Sequence, residues 1–414
     1  MWPPGCGLPA AVWSPFACGR SGETLRDSTA QFDVAIIGGG PAGTSAAITA
    51  ARLGARVALL EAKPFPRHKV CGEFVSAEAL GLLRSLAEPV PAAAEVFQHA
   101  WRIERARLFS DGRKIETAIR PPALSLARYE LDALLWEAAK RAGVERFPNC
   151  EVLGVDGAGP FIIRATGVAE PNRASSGPAT QDHAASAGGG AGFVVRAVIV
   201  AAGRWSNFTA DRSQSSGPKW LGLKAHFQER NPAPSTDLYF FEHGYCGVQP
   251  VAANVVNVCA MVRSDRATTL QQVFELHPTL AERGAKWSAL FPSLTTAPLL
   301  FREPQPARNK MLFAGDAAAF IDPFVGDGIS IALRSGKLAA EGVCEFLRGS
   351  ASLEQAVGIY AQEYSHQFAP LLAAAARVRS LLELPALPRY LAFQLARLPG
   401  VMQYVLRKTR RASS

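Results

Sequence analysis

The sequence has few cysteines, little charge for its length and no long apolar run. Seven of its 414 residues are cysteine, an odd number scattered from Cys6 to Cys344, and none is spaced as CxxC or lies beside a histidine pair. A disulfide framework or a zinc site needs paired or clustered ligands. We therefore predict no disulfide framework and no bound metal, and the cysteine usage favours a reducing, cytoplasmic location.

Apolar stretches are short throughout the chain. Charged, Gly or Pro residues interrupt each of them before the roughly 18 residues that a bilayer-spanning helix requires, so we predict no transmembrane segment. Residues 1–30 lack the basic start and continuous apolar block of a secretory signal, and we interpret them as a disordered extension. With 48% apolar and 19% charged residues, the rest of the chain has the composition of a folded protein of two or three domains.

Positive charge is concentrated at one end of the chain. The net charge is +9, and residues 371–414 hold eight Lys or Arg residues against the single acid Glu383. No helix-turn-helix, RNA-binding or zinc-finger pattern accompanies them, so we predict no nucleic-acid partner. Leucines interleave with these basic residues, a pattern typical of a helix on an anionic membrane surface, of a lid over a lipid-sized cavity, or of short helices packed on the rest of the protein. The first of these would make the protein peripheral at the inner face of a membrane.

A glycine turn near residue 40 lies between a short strand and a helix. Phe32 to Ile37 is an apolar run, Pro41 to Leu53 is rich in alanine, and a second apolar run from Val57 ends at Glu61. This order of strand, glycine turn, helix and strand predicts a parallel βαβ unit. The turn, Gly38-Gly39-Gly40-Pro41-Ala42-Gly43, matches GxGxxG in the context that gives the motif its meaning.

Each part of this motif has a role in holding a dinucleotide. Gly38 permits the tight turn, Gly40 lets a pyrophosphate approach the backbone, and Gly43 lets the helix and strand pack closely. Pro41-Ala42 opens the helix, whose N-terminus offers free N–H groups to the phosphates. Glu61, at the end of the second strand, is placed to accept hydrogen bonds from the ribose hydroxyls of an adenosine. The motif therefore predicts a bound dinucleotide.

The far end of the chain distinguishes FAD from a nicotinamide dinucleotide. An apolar strand from Lys310 to Ala314 delivers Gly315-Asp316 to its carboxyl end, where ligands bind in such sheets. Asp316 is suited to hold a ribityl hydroxyl, and the N–H groups from Gly326 through Gly328 to Ile329 are placed to face the pyrimidine edge of a flavin. An ordinary αβ loop with an Asp cap is the structural alternative. We predict FAD as the cofactor.

The remaining patterns predict a second domain and a helical C-terminal region. Asp111-Gly112 between two β-like stretches indicates a hairpin, residues 128–142 have helical periodicity, and residues 167–192 indicate a flexible excursion. We predict an α/β fold, α+β overall, with a Rossmann-like FAD-binding domain, a second antiparallel or mixed β-sheet substrate domain and a C-terminal helical cap. The predicted ranges are residues 31–97, 121–210 and 305–350 for the FAD-binding domain, 98–120 and 211–304 for the substrate domain, and 351–414 for the helical region.

The motifs occur in the order of a known family. Over about residues 31–350 the chain resembles the flavoproteins that share the para-hydroxybenzoate hydroxylase fold, and most closely the branch of geranylgeranyl reductases and related dehydrogenases. The resemblance is carried by Gly38 to Gly43, Glu61, Lys69 to Glu73, Arg128 to Asp132, and Gly315 to Ile329. It implies FAD bound across the first domain, with an apolar small-molecule substrate on the second sheet.

The resemblance also implies roles for single residues. Arg128 would contact the FAD phosphates or ribityl chain, and Val152 would offer backbone groups to the adenine. Cys71-Gly72 belongs to the segment that runs beside the flavin in these reductases. Cys71 is then a neighbour of the ring or a general acid, since a thiol is mostly protonated at neutral pH, unless it simply packs. Tyr245 lies where the reductases carry a substrate-facing aromatic motif, and it is a cavity wall, a proton donor or a core tyrosine.

Two departures from related flavoproteins bear on the reaction. Aromatic hydroxylases of this fold usually carry Asp at the position of Ala202, so docking of NAD(P)H in their manner is not expected. The chain also lacks the Trp-x-Trp-x-Ile-Pro signature of flavin halogenases, which argues against halogenation. We predict that electrons reach FAD from transiently bound NAD(P)H or from a separate electron-donor protein.

The preferred reaction is hydride transfer from reduced FAD to a carbon–carbon double bond of an apolar, polyprenyl-like or polyketide-like substrate, followed by protonation. Cys71 and Tyr245 are the candidate catalytic residues. The first alternative is an oxygen-using monooxygenase, either a hydroxylase or an epoxidase. The second is a non-catalytic, flavin-binding protein associated with a membrane.

Overall fold

The computed structural model describes residues 31–110, 112–167, 192–204, 208, 219–299, 301–321 and 326–382. The predicted extension over residues 1–30, nearly all of the excursion over 167–192 and the basic region after residue 382 lie outside the described residues. In chain order, the strands within the described ranges are β1 Phe32–Ile37, β2 Val57–Glu61, β3 Phe74–Val75, β4 Trp101–Ser110, β5 Arg113–Ser125, β6 Glu145–Pro148, β7 Val152–Gly157, β8 Phe161–Ala165, β9 Gly192–Val200, β10 Trp220–Gln228, β11 Ser235–Phe241, β12 Gly244–Ala252, β13 Val255–Arg263, β14 Ser288–Ala289, β15 Leu294–Leu299, β16 Ala307–Arg308 and β17 Met311–Phe313.

The first sheet has parallel strands at its centre. Its order is β16-β17-β9-β1-β2-β6; the pairs from β17 to β6 are parallel, and the edge strand β16 pairs with β17 in antiparallel fashion. The hairpin of β7 and β8 joins through β8 to β9 in antiparallel pairing. β2 is buried along its whole length, as expected for a strand covered on both faces.

Helices pack on this sheet, and two of them bring segments far apart in the sequence into contact. The helices of the described ranges are α1 Pro41–Arg52, α2 Ala77–Ala87, α3 Ala93–His99, α4 Arg128–Arg141, α5 Leu270–Glu275, α6 Pro278–Gly284, α7 Gly328–Leu347 and α8 Leu353–Leu382. Of these, α5 and α6 pack against the second sheet. α1 and α7 pack very closely, because a Cβ at Gly336 would lie 2.1 Å from the Ala42 carbonyl oxygen. The Ser45 hydroxyl also donates to the Leu333 carbonyl oxygen at 2.6 Å. This packing places the turn after β17 beside the glycine turn after β1.

The second sheet has nine strands and is mixed. Its order is β14-β10-β13-β12-β11-β4-β5-β3, with β15 paired to β10. Only β11 and β4 pair in parallel among the described strands of this sheet. The predicted fold class, a Rossmann-like domain with a second mixed sheet, is confirmed.

The second sheet takes more of the chain than the sequence predicts. β5 continues past residue 120 to Ser125 although it contains Pro121 and Pro122. The register with β4 shifts between Ile103 and Arg105, so these prolines lie in a bulge where no ladder hydrogen bond is required of them. β3, inside the range predicted for the first domain, pairs with β5.

The C-terminal region begins with the long helix α8. Pro370, a residue that usually ends or kinks a helix, lies inside α8, which continues to Leu382. Tyr360, Tyr364 and Phe368 of α8 are buried against the first domain, and the Tyr360 hydroxyl donates to the Phe313 carbonyl oxygen at 2.6 Å. This packing stabilises the helix across the proline. Within the described ranges, no helix is both long and apolar enough to cross a bilayer.

Candidate flavin and substrate site

The glycine turn has the tight geometry that its sequence predicts. Gly38 has a φ of +105°, and a Cβ there would lie 2.5 Å from the Ala201 carbonyl oxygen. A Cβ at Gly43 would lie 1.7 Å from the Gly38 carbonyl oxygen. Larger residues cannot occupy either position without moving backbone, so β1, β9 and the start of α1 stay in close contact.

Glu61 holds the outer side of this turn. Its Oε2 accepts from the Gly39 N–H at 2.9 Å, and its Oε1 accepts from the Lys63 N–H and from Arg67 Nη2, both at 3.0 Å. The Cys150 N–H donates to the Glu61 carbonyl oxygen at 2.9 Å, which brings the start of β7 and buried Val152 close to this residue. Glu61 and Val152 therefore lie in one region, and their roles toward ribose and adenine stay predictions.

Two cations border the open space above the turn. A Cβ at Gly40 would lie 3.6 Å from Lys69 Nζ and 3.9 Å from Arg128 Nη2. Both cations are held by Asp132, which is fully buried: Lys69 Nζ lies 3.2 Å from Oδ2, and Arg128 forms two hydrogen bonds of 2.7 Å. Burial alone would raise the pKa of Asp132, but Arg128 and Lys69 outweigh it, and the net pKa is lowered.

These residues fit the pyrophosphate of a dinucleotide. The helix N-terminus, an unobstructed Gly40 and two fixed cations offer N–H groups and positive charge to the same space. Arg128 was predicted as a cofactor contact, whereas Lys69 was not assigned one. The signal was available in Lys69, Arg128 and Asp132, but the sequence does not show that α4 brings them together.

The predicted flavin-facing residues of the C-terminal half lie around the same cleft. Gly315, with a φ of +61°, begins a short 3₁₀ turn, and its N–H donates to the Ser335 hydroxyl at 2.9 Å. Asp316 follows it, with Arg204 Nε 3.9 Å from its Oδ2. Burial raises the pKa of Asp316, and the positive charges of Arg204, Arg128 and Lys69 oppose that rise. The side chain is still 37% exposed, so part of it is accessible to a bound ligand.

The glycine that precedes α7 packs against the strand that follows the Cys71 segment. Gly326 has a φ of +71°, and a Cβ there would lie 2.9 Å from the Phe74 ring. Phe74 comes directly after the segment containing Cys71-Gly72. The structure therefore brings Gly326, Gly328 and Ile329 next to that segment, as a shared flavin site requires.

The segment containing Cys71 is fixed to the second sheet. Asn257 of β13 donates from its amide to the carbonyl oxygens of Cys71, at 3.1 Å, and Gly72, at 2.9 Å. The Glu73 N–H donates to Cys71 Sγ at 3.3 Å. Cys71 is partly buried and also packs against the first core. Packing and an active-site role are thus compatible at this position.

A buried charge cluster that the sequence did not predict lies beneath this segment. Glu73 is fully buried, with a φ of +60°, and its carboxylate accepts from Lys224 Nζ, from His226 Nε2 at 2.7 Å and from the Arg128 N–H at 2.8 Å. Burial acts to raise the pKa of Glu73, but His226 and Lys224 reverse it, and the pKa is lowered. Lys224 and His226, two residues apart in an otherwise apolar strand, were the available signal.

The contacts that Asn257, Lys224 and His226 make with the Cys71 segment all come from one face of the second sheet. His226 pairs with Asn257 and Lys224 with Cys259 across β10 and β13, and Tyr245 of β12 pairs with Met261 of β13. Since side chains alternate along a strand, these residues lie on one face. Its other end is apolar, with the members Phe74, Ile103, Phe240, Tyr245, Met261 and Leu299. This face offers a polar end near Cys71 and an apolar end around Tyr245.

The glycine turn, its two cations and Asp316 fit a bound flavin dinucleotide. Residues 33–160 match the FAD dependent oxidoreductase family. The chain is an FAD-dependent oxidoreductase, and the predicted cofactor is confirmed as FAD.

Curated relatives include reductases and halogenases. A digeranylgeranylglycerophospholipid reductase of Thermoplasma volcanium is 26% identical over 81% of this chain and 84% of its own. A flavin-dependent halogenase of Metacordyceps chlamydosporia is 24% identical over 76% of this chain, which spans only 65% of the halogenase. Conditioned medium factor receptor 1 of Dictyostelium discoideum is 25% identical over 83% of this chain and 70% of its own.

Solved structures share the fold. A geranylgeranyl bacteriochlorophyll reductase-like protein from Thermoplasma acidophilum has a TM-score of 0.67 at 20% identity, covering 92% of this chain and 96% of its own. A flavin-dependent brominase has a TM-score of 0.68 at 19% identity, covering 91% and 93%. Together with the reductase relative, these confirm the resemblance to the geranylgeranyl reductase-like branch of the fold.

Proposed function

We propose that the protein reduces a carbon–carbon double bond of an apolar, polyprenyl-like or polyketide-like substrate. Bound FAD, once reduced, supplies the hydride. The observation that carries the proposal is the sheet face with an apolar end around Tyr245 and Met261 and a polar end fixed to Cys71. A long apolar chain can lie along the apolar end while its reacting double bond lies near the polar end.

The protein's own residues have two tasks in this reaction. The apolar cluster excludes water and orients the substrate. Asn257, through the Cys71 and Gly72 carbonyl oxygens, holds the segment that carries the thiol. The Cys71 Sγ would then donate the proton that completes reduction. A relative named for reducing digeranylgeranyl lipids supports this substrate class.

Cys71→Ala tests the thiol as the proton donor. We expect turnover of a geranylgeranyl lipid, with dithionite as reductant, to fall by roughly 10²–10⁴-fold, the usual contribution of a general acid. FAD content, measured from flavin absorbance, should stay unchanged because two hydrogen bonds to Asp132 hold Arg128, the cation beside Gly40, without the Cys71 thiol. Cys71→Ser is the matched variant, and turnover equal to the unmodified protein in Cys71→Ala would show that the thiol only packs.

Tyr245→Phe tests whether Tyr245 donates a proton or only forms part of the apolar wall. Tyr245 is 3% exposed and its ring lies 6.2 Å from Phe240, so the ring itself contributes to the apolar end. We expect Tyr245→Phe to retain turnover within about threefold and Tyr245→Ala to raise KM, because removing a buried aromatic ring opens a cavity. A collapse of kcat in Tyr245→Phe alone would assign proton donation to Tyr245 instead of Cys71.

An oxygen-using reaction is the second candidate, because halogenases occur among the relatives. It would be a hydroxylation, an epoxidation or a halogenation at the same sheet face. Absence of the Trp-x-Trp-x-Ile-Pro signature argues against the last of these. Product analysis in air, with and without bromide, distinguishes the outcomes, since an oxygenated or brominated product would replace the reductase proposal.

The source of electrons and the membrane contact belong to the same proposal. We propose that NAD(P)H or an electron-donor protein reduces the FAD, and that the basic segment beyond residue 382 approaches an anionic membrane. The non-catalytic alternative predicts no turnover with any of these reductants. Deleting residues 401–414 and measuring binding to anionic vesicles tests the membrane contact, and unchanged binding would reject it.

A further inference from the structure

We propose that His68, Glu73 and His226 form a binding site for a divalent transition metal ion, Zn²⁺ by the chemistry of its ligands, at the junction of the two domains. The site adjoins the segment that carries Cys71, since the Glu73 N–H donates to Cys71 Sγ, but the proposal does not depend on the reduction. Sequence analysis predicts no metal, and His68 and His226 are 158 positions apart in the chain. Folding removes that separation.

The ligand atoms already converge. One imidazole nitrogen from each histidine and one carboxylate oxygen of Glu73 all lie within 4.8 Å of one another. His226 Nε2 is 2.7 Å from Glu73 Oε2, and His68 Nδ1 is buried without a hydrogen-bond partner in the described part of the chain. Zinc bonds such atoms at ~2.1 Å, so tetrahedral ligand atoms lie ~3.4 Å apart. The Glu73 and His226 atoms must separate slightly, and His68 must move inward.

The second carboxylate oxygen of Glu73 is held by hydrogen bonds, as it is in many metal-binding carboxylates. Lys224 Nζ and the Arg128 N–H bond to its Oε1, which leaves Oε2 toward the histidines. Hydrogen bonds to the second oxygen orient ligating carboxylates and are a regular part of metal sites. Lys224 also donates to the Lys69 carbonyl oxygen at 3.1 Å, so its position is fixed.

Charge in this region has to accommodate both Lys224 and the metal. Glu73 carries one negative charge, and Glu130 is a second carboxylate nearby. The pKa of Glu130 is raised, mainly by burial and also by the charge of Glu73, while His226 opposes the rise. Binding a cation would favour the ionised form of Glu130. The two carboxylates then offset part of the positive charge of Lys224 and the ion.

Aromatic rings shield the proposed site. Phe291 stacks on His68 with ring centroids 4.1 Å apart and lies 5.1 Å from the His226 ring. Tyr129 lies 5.0 Å from His68 on another side. Tyr129 is itself 42% exposed, whereas His226 is 6% exposed, so water is limited on the His226 side, which strengthens metal–ligand attraction there. Three protein ligands leave a fourth tetrahedral position for a water molecule.

A metal here would connect the two domains. His68 and Glu73 lie on the segment between β2 and α2, which also carries Cys71, whereas His226 belongs to β10 of the second sheet. Binding should therefore raise the temperature of unfolding. It should do so without changing the FAD content, because the glycine turn is not involved.

The test uses the full chain, loaded with FAD, freed of any affinity tag and stripped with a chelator. Zn²⁺ is titrated in competition with a chromophoric chelator, and unfolding temperature is measured with and without zinc. We expect one tight equivalent that raises the unfolding temperature. His68→Ala should weaken binding by at least tenfold and remove the temperature shift. His366→Ala, at an exposed histidine of α8, should leave both unchanged.

FAD content and the unfolding temperature without zinc establish that His68→Ala is folded. His226→Ala provides a second variant from the other domain, with the same expected loss. The proposal is overturned if the unmodified protein binds no tight zinc. It is equally overturned if His68→Ala and His226→Ala both retain the tight equivalent, which would place zinc on other side chains.

Discussion

Gly43→Ala is expected to lower the fraction of protein that retains FAD by more than tenfold. The added Cβ would lie 1.7 Å from the Gly38 carbonyl oxygen, and that neighbour is backbone, which cannot rotate away. The start of α1 must then shift away from β1, and the N–H groups aimed at the pyrophosphate shift with it. A tenfold loss of affinity corresponds to only about 1.4 kcal/mol, and overpacking of this kind costs about 1–3 kcal/mol.

Gly81→Ala is the matched control for this variant. Gly81 lies inside α2, and a Cβ there meets nothing within 4 Å. Alanine favours an exposed helix by about 1 kcal/mol over glycine, so this variant should keep its FAD and unfold at a slightly higher temperature. FAD retention after gel filtration measures both. A Gly43→Ala protein with a full complement of FAD would contradict the account of the glycine turn.

Asp132→Asn is expected to lower the free energy of unfolding by about 3–5 kcal/mol, the usual cost of breaking a buried ion pair. The substitution keeps the shape of the side chain but leaves Lys69 and Arg128 without their counterion. Both cations should lose their fixed positions above Gly40, so FAD affinity should fall as well. Chemical denaturation of the two proteins at neutral pH measures the stability difference.

The same residue predicts a pH dependence. Because the pKa of Asp132 is lowered in the folded protein, its contribution to stability is fully present above the unfolded value of about 3.9 and is lost as pH falls through the folded value. The difference between the two proteins should therefore shrink below about pH 4. Asp156→Asn, at an exposed pair with Arg164, should leave the denaturation curve unchanged. A constant difference across the acid range would contradict this role of Asp132.

The sequence predicts the flavin half of the molecule well because its signals are local. The glycine turn, Glu61 and the strand before Gly315-Asp316 depend on neighbours a few residues away, and β1, α1 and α7 begin where their patterns indicate. The end of β5 was missed, because Pro121 and Pro122 resemble a strand terminator until the bulge is seen. α8 continues through Pro370 because its tyrosines and Phe368 bury against the first domain.

The site beneath Cys71 could not be predicted, since it depends on long-range contacts. Glu73 meets Lys224 and His226 only when the second sheet packs on the segment after β2, and no spacing rule links them. The alternation of Lys224 and His226 in an apolar strand did mark two polar side chains on a buried face. Which partner they would meet is a property of the domain arrangement.

The most direct test of the central proposal is a single turnover without oxygen. The FAD-loaded protein is reduced anaerobically, mixed with a geranylgeranyl lipid, and followed by flavin absorbance and product mass. The proposal predicts that flavin reoxidises with lipid present and remains reduced without it, while the lipid gains two hydrogen atoms. No reoxidation until oxygen is admitted, followed by an oxygenated or halogenated product, would contradict it.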